Sequence, residues 1–342
     1  MRAPETASMT EACPPSRRRL LLGAAALAAM AASPAGSGAG EARAEAPVRR
    51  PVLATTAMIG DLARRVGGSR IELSVLMGEG VDPHLYKPTR GDIARLLKAE
   101  LVFYNGLLLE GQMTEAFGRV SRAGKPVVAV AESLPPESLL VPEDAAPHPD
   151  PHVWMDPRAW SQAAGIIARE LARLEPAGAA EFERNLAALQ SELAALDEWA
   201  ARAIASIPAR QRVLVTAHDA FGYFARRYGL EVMGIQGLST ESEAGLRRIQ
   251  ELVELLAARN IPAVFVESSV SDRNIRALVE GAAARGHRVV IGGSLFSDAM
   301  GAPGTYESTY PGMIDHNVTT MVRALGGEAP PRGFAGRLAE AR

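Results

Sequence analysis

Three histidines and one aspartate stand where their side chains could bind a divalent metal ion. His84 lies in the segment GEGVDPHLYKPT, directly after the apolar run IELSVLM, and His152 lies in the loop PHPDPHVWMDP. His218 directly follows the apolar run RVLVTA, and Asp298 lies just beyond the run HRVVIGGSL. Three imidazoles and a carboxylate are a plausible ligand set for Zn²⁺, and the same set can accept Mn²⁺.

The prolines beside these histidines indicate rigid loops. A proline directly precedes both His84 and His152, and its fixed φ stiffens the backbone where a ligand would have to be held. His148 lies four residues before His152, a spacing that would bring the two together on a helix. The prolines between them exclude that helix, so we interpret His148 as a bystander.

Other polar residues near these segments could have more than one role. Glu267 ends the apolar run AVFV and could be a fifth metal donor, an acceptor for the second ring nitrogen of a ligating histidine, or a solvated strand end. We favour the acceptor, because ligating imidazoles usually need one. Asp82 and Asp156 precede prolines, as turn and cap residues do. His287 opens a predicted strand and His316 lies in the last predicted helix, where structural roles are the default.

The elements that must position these residues alternate between strand and helix in two separate series. Such alternation is typical of βα units with a mainly parallel sheet. Between the two series, EFERNLAALQSELAALDEWAARAIASI keeps apolar residues at helical spacing throughout. We predict an α/β fold of two lobes, each with a mainly parallel sheet flanked by helices, joined by one long rigid helix. The predicted segments are 45–176 for the N-terminal lobe, 177–207 for the helix and 208–342 for the C-terminal lobe.

Ligands of open parallel sheets bind beyond the carboxyl ends of the strands. His84, His218 and Asp298 all follow predicted strands at that end, and the loop of His152 adjoins them. The sequence therefore predicts a site in the cleft between the two lobes.

The N-terminal segment is predicted to be an export signal. Arginines at 17–19 precede LLLGAAALAAMAA, and Ala42–Ala44 offers a cleavage site, so residues 1–44 are predicted to be removed on export to the periplasm. The segment also fits the twin-arginine type of signal. The only cysteine, Cys13, precedes the apolar run, whereas the cysteine of a lipoprotein would follow it. We therefore expect an exported protein without a lipid anchor.

Composition further limits the function and the kind of metal site that this chain can have. The chain has 342 residues and a formal net charge of −2, which gives no electrostatic case for binding nucleic acid. Removal of the signal leaves no cysteine, so the mature chain would use neither disulfides nor thiolate ligands. A metal site would have to be built from His, Asp, Glu and carbonyl groups.

Several segments together resemble the zinc/manganese solute-binding proteins of ABC transporters, the TroA/ZnuA-like family. They are VDPHLYKPT (81–89), PHVWMDP (151–157), VTAHDAFGYFARRYGL (215–230), IQGLSTESEAG (235–245), VFVESS (264–269) and SLFSDAMG (294–301). The resemblance implies His84 and His152 as ligands from the first lobe and His218 and Asp298 from the second. It also implies capture of one divalent ion per chain and its delivery to a membrane permease, by a protein that is neither an enzyme nor itself membrane-spanning. We expect a monomer.

The ligand types favour zinc over manganese, because three nitrogens and one carboxylate suit Zn²⁺. Manganese-leaning members of the family often have Glu at the position of His218, and zinc specialists often have a long His-rich loop before PHVWMDP. This chain has neither feature.

Two other functions can be compared with that of a metal-binding transport protein. A zinc hydrolase would need an open position for water and a general base, for which Glu267 could serve, but four protein ligands would close the site. A binding protein for a metal chelate would need a wide cleft with aromatic or arginine side chains, and aromatic residues are only 5% of this chain. An additional role as an adhesin stays open.

Overall fold

A computed structural model of the chain describes residues 49–143, 146–243 and 245–339. The predicted export signal, with Cys13 and the cleavage site, lies outside the described residues. Within them, every helix is too short or too polar to cross a bilayer.

The described residues form strands and helices in the predicted alternation. The strands are β1 (Arg50–Ala54), β2 (Ile71–Val75), β3 (Leu101–Tyr104), β4 (Val127–Ala129), β5 (Val213–Thr216), β6 (Glu231–Gly234), β7 (Ala263–Glu267) and β8 (Val290–Leu295). The helices are α1 (Ala57–Gly67), α2 (Arg90–Lys98), α3 (Thr114–Arg122), α4 (Pro157–Leu174), α5 (Ala179–Ala205), α6 (Gly222–Tyr228), α7 (Leu246–Arg259), α8 (Arg273–Ala284) and α9 (Tyr310–Ala324).

Capping residues set several of these boundaries. Thr89 caps α2 in a capping box with Asp92, as a threonine before a helical pattern predicts. Asp156 caps α4 and accepts hydrogen bonds from the backbone N–H groups of Arg158 and Ala159. Helix α6 ends where Gly229 takes a left-handed conformation with φ of 71°, which glycine adopts without steric cost.

The first lobe contains one parallel sheet with the strand order β2-β1-β3-β4. All three neighbouring pairs are parallel, because each strand is joined to the next by a helix that returns the chain to the same edge. The carboxyl ends of the four strands therefore point in one direction. The segment of His84 leaves the sheet at this edge, directly after β2.

In the second lobe the parallel hydrogen-bonded ladders form two pairs. Strand β5 pairs with β6 and β7 pairs with β8, and β5 lies alongside β7. The β7–β8 ladder contains an irregularity after Val264, opposite Gly292. A Cβ atom at Gly292 would lie 2.8 Å from the Phe265 ring, so a side chain there would collide with the core. The parallel sheets flanked by helices agree with the predicted fold class.

Helix α5 is 27 residues long, or about 40 Å at the rise of an α-helix. It packs against α1 and α4, and against α6 and α9 of the second lobe. Its buried face includes Leu189, Leu193, Leu196 and Ala200, which recur at helical spacing. This is the predicted long helix that joins two α/β lobes, while the predicted lobe boundaries at 176 and 208 stay a prediction.

The largest apolar cluster is shared by both lobes. It runs from Val52 and Phe103 of the first sheet through Trp160 and Leu193 to Val318 of α9. A core of this kind opposes separation of the lobes, because separation would return buried apolar surface to water.

Candidate metal centre

His84, His152, His218 and Asp298 come together at the cleft edge of the two lobes. One ligand atom from each lies within 4.8 Å of the others, and all four residues are buried. His84 is the most exposed, at 5%, while His152 and His218 have no exposed surface. The four residues that sequence reasoning selected therefore converge on one point.

The distances among these atoms suit a tetrahedral ion. The Nε2 atoms of His84 and His152 are 3.3 Å apart. Asp298 places Oδ2 at 3.2 Å from Nε2 of His218 and Oδ1 at 3.5 Å from Nε2 of His152. Ligand atoms about 2.0–2.1 Å from a tetrahedral zinc ion lie about 3.3 Å from one another. Nε2 of His84 lies farther from Oδ2 of Asp298, at 3.9 Å, so the cluster is slightly wider than a zinc coordination shell.

Polar atoms at this point lack hydrogen-bond partners among the described residues. Both carboxylate oxygens of Asp298 and Nε2 of His218 are buried without one. An unpartnered buried carboxylate is costly, and a coordinated cation is one of the arrangements that removes the cost. The donor set and its unsatisfied atoms fit a bound divalent metal.

Two carboxylates contact the Nδ1 atoms of ligating histidines, on the side of each ring opposite Nε2. Oδ1 of Asp150 lies 2.7 Å from Nδ1 of His152 and also accepts the backbone N–H of His152 at 2.8 Å. Oε2 of Glu267 lies 2.6 Å from Nδ1 of His218, and Oε1 accepts the backbone N–H of His218 at 2.9 Å. At His152 this acceptor places the ring proton on Nδ1 and leaves Nε2 free to bind a metal. At His218 the contact with Glu267 is a close ion pair whose geometry is not that of a hydrogen bond.

Glu267 therefore contacts the side of the His218 ring that faces away from Asp298, as expected of an acceptor for the second ring nitrogen. Sequence reasoning missed Asp150, although it lies only two residues before His152. The signal that could have found it is this spacing, which lets one short side chain reach both the N–H and the ring of the histidine.

Burial and neighbouring charges shift the pKa values of His84 and His218 in opposite directions. Burial lowers the pKa of His84 to about 3, so this imidazole is neutral. Burial also opposes a charge on His218, but the carboxylates of Glu267 and Asp298 raise its pKa well above the usual value. Burial likewise opposes ionisation of Asp298, but the imidazole of His218 holds the pKa of Asp298 well below its usual value. The two buried carboxylates therefore favour a cation beside His218, whereas the position of His84 favours a neutral imidazole.

Side chains from the helices and loops fix the backbone beside Asp298. The amide of Asn317, on α9, accepts the N–H of Phe296 at 2.8 Å and donates to its carbonyl at 2.7 Å. The indole N–H of Trp154 donates to the carbonyl of Ser297 at 2.8 Å. This bond joins the loop of His152 to the loop of Asp298. Sequence reasoning assigned no such role to Asn317 or Trp154.

The remaining histidines lie away from the cluster. His148 is exposed. Nε2 of His287 lies 2.9 Å from the carbonyl of Ile261, and Nε2 of His316 lies 2.9 Å from the carbonyl of Ser294. Contacts of this kind are structural.

Comparisons with known proteins match nearly the whole described region. The family profile described as "Zinc-uptake complex component A periplasmic" matches residues 52–324. The manganese-binding lipoprotein MntA of Bacillus subtilis is 46% identical over 290 residues, which are 85% of this chain and 94% of MntA. The zinc-binding protein TroA of Treponema pallidum is 47% identical over 277 residues, covering 81% of this chain and 89% of TroA.

Solved structures agree with these matches. The periplasmic zinc-binding protein TroA of Treponema pallidum superposes with a TM-score of 0.78 at 47% identity, over 81% of this chain and 99% of TroA. Fe(III)-bound YtgA of Chlamydia trachomatis superposes with a TM-score of 0.73 at 31% identity, over 82% of this chain and 99% of YtgA.

The expectation of a protein without a lipid anchor is wrong. MntA of Bacillus subtilis and FimA of Streptococcus parasanguinis, which match over 94% and 88% of their lengths, are named lipoproteins. The expectation depended on the position of Cys13, which lies outside the described residues. A lipid anchor is attached ahead of the folded lobes, so the same fold occurs in anchored and in periplasmic relatives. The order of a cysteine and an apolar run along the sequence is therefore too weak a signal to exclude a lipid anchor.

Proposed function

The chain belongs to the ZnuA/TroA family of metal-binding components of ABC metal uptake, and on that premise we propose that it captures one Zn²⁺ ion outside the cytoplasm and delivers it to a membrane permease. His84, His152, His218 and Asp298 are the proposed ligands. The observation that carries the proposal is their convergence within 4.8 Å, with buried atoms of His218 and Asp298 that lack hydrogen-bond partners among the described residues. The proposal includes export directed by residues 1–44 and action as a monomer with lobes at 45–176 and 208–342, joined by the helix at 177–207.

Zinc is favoured over manganese because of the donor types. Three imidazole nitrogens and one carboxylate suit Zn²⁺, whereas Mn²⁺ is more often bound by oxygen. The names of relatives include both metals, and one solved relative holds Fe(III). Zn²⁺ also binds more strongly than Mn²⁺ at most such sites, so affinity in vitro alone does not identify the metal carried in the cell.

Members of this family bind a metal for uptake and are not enzymes, which removes the hydrolase alternative. In the proposed binding step, Asp150 and Glu267 hold Nδ1 of their histidines and thereby direct Nε2 of each toward the ion. The ion then supplies the positive charge around which Asp298 is arranged. Glu267 acts on the far side of the imidazole and does not coordinate the ion.

Release is proposed to involve small movements of the second lobe. Helix α5 packs against elements of both lobes, and the largest apolar cluster is continuous between them. A wide hinge opening would expose that cluster, at a cost that a transport protein would have to recover in every cycle.

Elemental analysis tests the function directly. The exported protein would be purified without chelator or added metal and its metal content measured by inductively coupled plasma mass spectrometry. About one zinc ion per chain is expected, from the four-ligand site. About one manganese ion would keep the ligands and reverse the choice of metal. A chain that carries no metal and takes up none on titration would overturn the proposed function.

A further inference from the structure

A segment of the second lobe crosses the cleft and reaches the loop of His84. We call residues 236–243, which follow β6, the cross-cleft strap. Its base is tied to the residues on both sides of His218: the N–H of Gln236 donates to the carbonyl of Ala217 at 2.9 Å, and the N–H of Asp219 donates to the strap at 3.2 Å. The strap thus starts beside one proposed ligand.

The other end of the strap is bonded to the first lobe. The hydroxyl of Thr240 donates to Oδ2 of Asp82 at 2.6 Å, and Oδ1 of Asp82 accepts the backbone N–H of His84 at 2.8 Å. Thr240 is only 9% exposed and Asp82 is half-buried, so this bond is partly shielded from water. A single carboxylate therefore connects the strap to a second proposed ligand, from the opposite lobe.

Two further bonds keep the strap in this position. Nε2 of Gln236 donates to the carbonyl of Ser242 at 2.9 Å, which holds the strap in a compact turn. Nε2 of Gln112, in the first lobe, donates to Oε1 of Glu241 at 2.8 Å. The bond to Glu241 is exposed, so water competes for it and it contributes less than the bond to Asp82.

His84 depends on such support more than the other ligands do. His152 and His218 each have a carboxylate at Nδ1, and Asn317 and Trp154 fix the backbone just before Asp298. In the part of the chain that the structure describes, no carboxylate is hydrogen-bonded to Nδ1 of His84. His84 is also the most exposed of the four ligands, at 5%.

We propose that Asp82 and Thr240 are positioning residues that hold His84 against the metal, so that the cross-cleft strap sets the rate at which the ion leaves. The inference rests on the proposed function. When the bond between Thr240 and Asp82 breaks, the backbone of His84 loses its link to the second lobe, and His84 is the first ligand to withdraw. The ion would then leave on the side of His84.

Zinc dissociation from the full exported protein tests this inference. Zn²⁺-loaded protein is mixed with excess chelator in a stopped-flow instrument, and the dissociation rate is compared among wild type, Thr240→Val and Thr240→Ser. We expect Thr240→Val to release zinc about tenfold faster, the effect of losing one hydrogen bond to a charged group, while Thr240→Ser keeps the wild-type rate. Thr305→Val is the matched control, because its hydroxyl bonds only within its own turn, to Ala302.

Thermal unfolding without metal separates this role from a general structural one. Thr319→Val removes a comparable bond outside the metal centre, because the hydroxyl of Thr319 donates to Oδ1 of Asp315 at 3.2 Å. Each variant deprives a carboxylate of a donor, so both Thr240→Val and Thr319→Val are expected to lower the metal-free unfolding temperature by a few degrees. Only Thr240→Val is expected to release zinc faster. An unchanged dissociation rate in Thr240→Val would overturn the inference, as would equal acceleration in Thr240→Ser, Thr305→Val or Thr319→Val. A wild-type protein that takes up no zinc would overturn the proposed function itself, and this inference with it.

Discussion

Glu267 and Asp298 contact opposite nitrogens of the same imidazole. Oε2 of Glu267 lies 2.6 Å from Nδ1 of His218, and Oδ2 of Asp298 lies 3.2 Å from Nε2. All three side chains are buried, so neither carboxylate is screened by solvent. Glu267 fixes the orientation of the ring, whereas Asp298 lies on the side of the ring that would bind the metal. The first prediction tests this difference.

Glu267→Gln is expected to weaken zinc binding about 10–100-fold without abolishing it. The amide nitrogen of glutamine can donate to Nδ1, which would move the ring proton of His218 to Nε2 and block the metal-binding nitrogen. Competition with a fluorescent zinc chelator measures the change. Glu251→Gln, which alters an exposed pair with Arg247, is the control and should bind as wild type does. An affinity equal to that of the wild type would contradict the proposed role of Glu267 behind His218.

His218→Ala is expected to abolish high-affinity zinc binding, whereas His148→Ala is expected to leave it unchanged. His218 contributes a buried nitrogen to the cluster, and His148 lies on the surface outside it. Isothermal titration calorimetry of both variants measures the difference. If the two variants lost affinity equally, the interpretation of His148 as a bystander would be wrong.

Zinc is expected to stabilise the wild type against heat, and Asp298→Asn is expected to remove most of this effect. At a zinc concentration about a hundred times Kd, binding adds about 2.7 kcal/mol, which raises Tm by about 4 °C in a chain of this size. Asparagine keeps the shape of the side chain but removes the only charged ligand. Differential scanning calorimetry with and without zinc measures the shift.

The matched control for this experiment is Asp272→Asn, because its carboxylate pairs with Arg276 at the surface. It should keep the full zinc-dependent shift. A full shift in Asp298→Asn as well would show that the stabilising ion binds elsewhere.

The radius of gyration is expected to change little when zinc binds. Helix α5 contacts both lobes, and a compact chain of this size has a radius of gyration of about 19 Å with or without the ion. Small-angle X-ray scattering of the loaded and chelator-treated protein measures it. A large increase on removal of the metal would contradict the restricted movement that is proposed for release.

Much of the fold and of the candidate site could be predicted from the sequence, because the relevant signals are local. The alternation of apolar strands and helical patterns predicted two α/β lobes and the long helix. The strand-end positions of His84 and His218 predicted that they would face one cleft, since carboxyl ends of parallel strands share an edge. Cys13 shows the limit of such reading, because its position gave the wrong expectation about a lipid anchor.

Residue types and their places relative to strands were thus determined by the sequence itself. Only the tertiary structure decided that Glu267 supports His218 in particular, that Asn317 holds the backbone of Phe296, and that Thr240 is linked through Asp82 to His84. Thr240 and Asp82 are separated by 158 positions, and Trp154 and Ser297 by 143. Hydrogen bonds between such distant residues depend on how the two lobes pack, whereas periodicity and capping patterns report only on neighbours within a few residues along the chain.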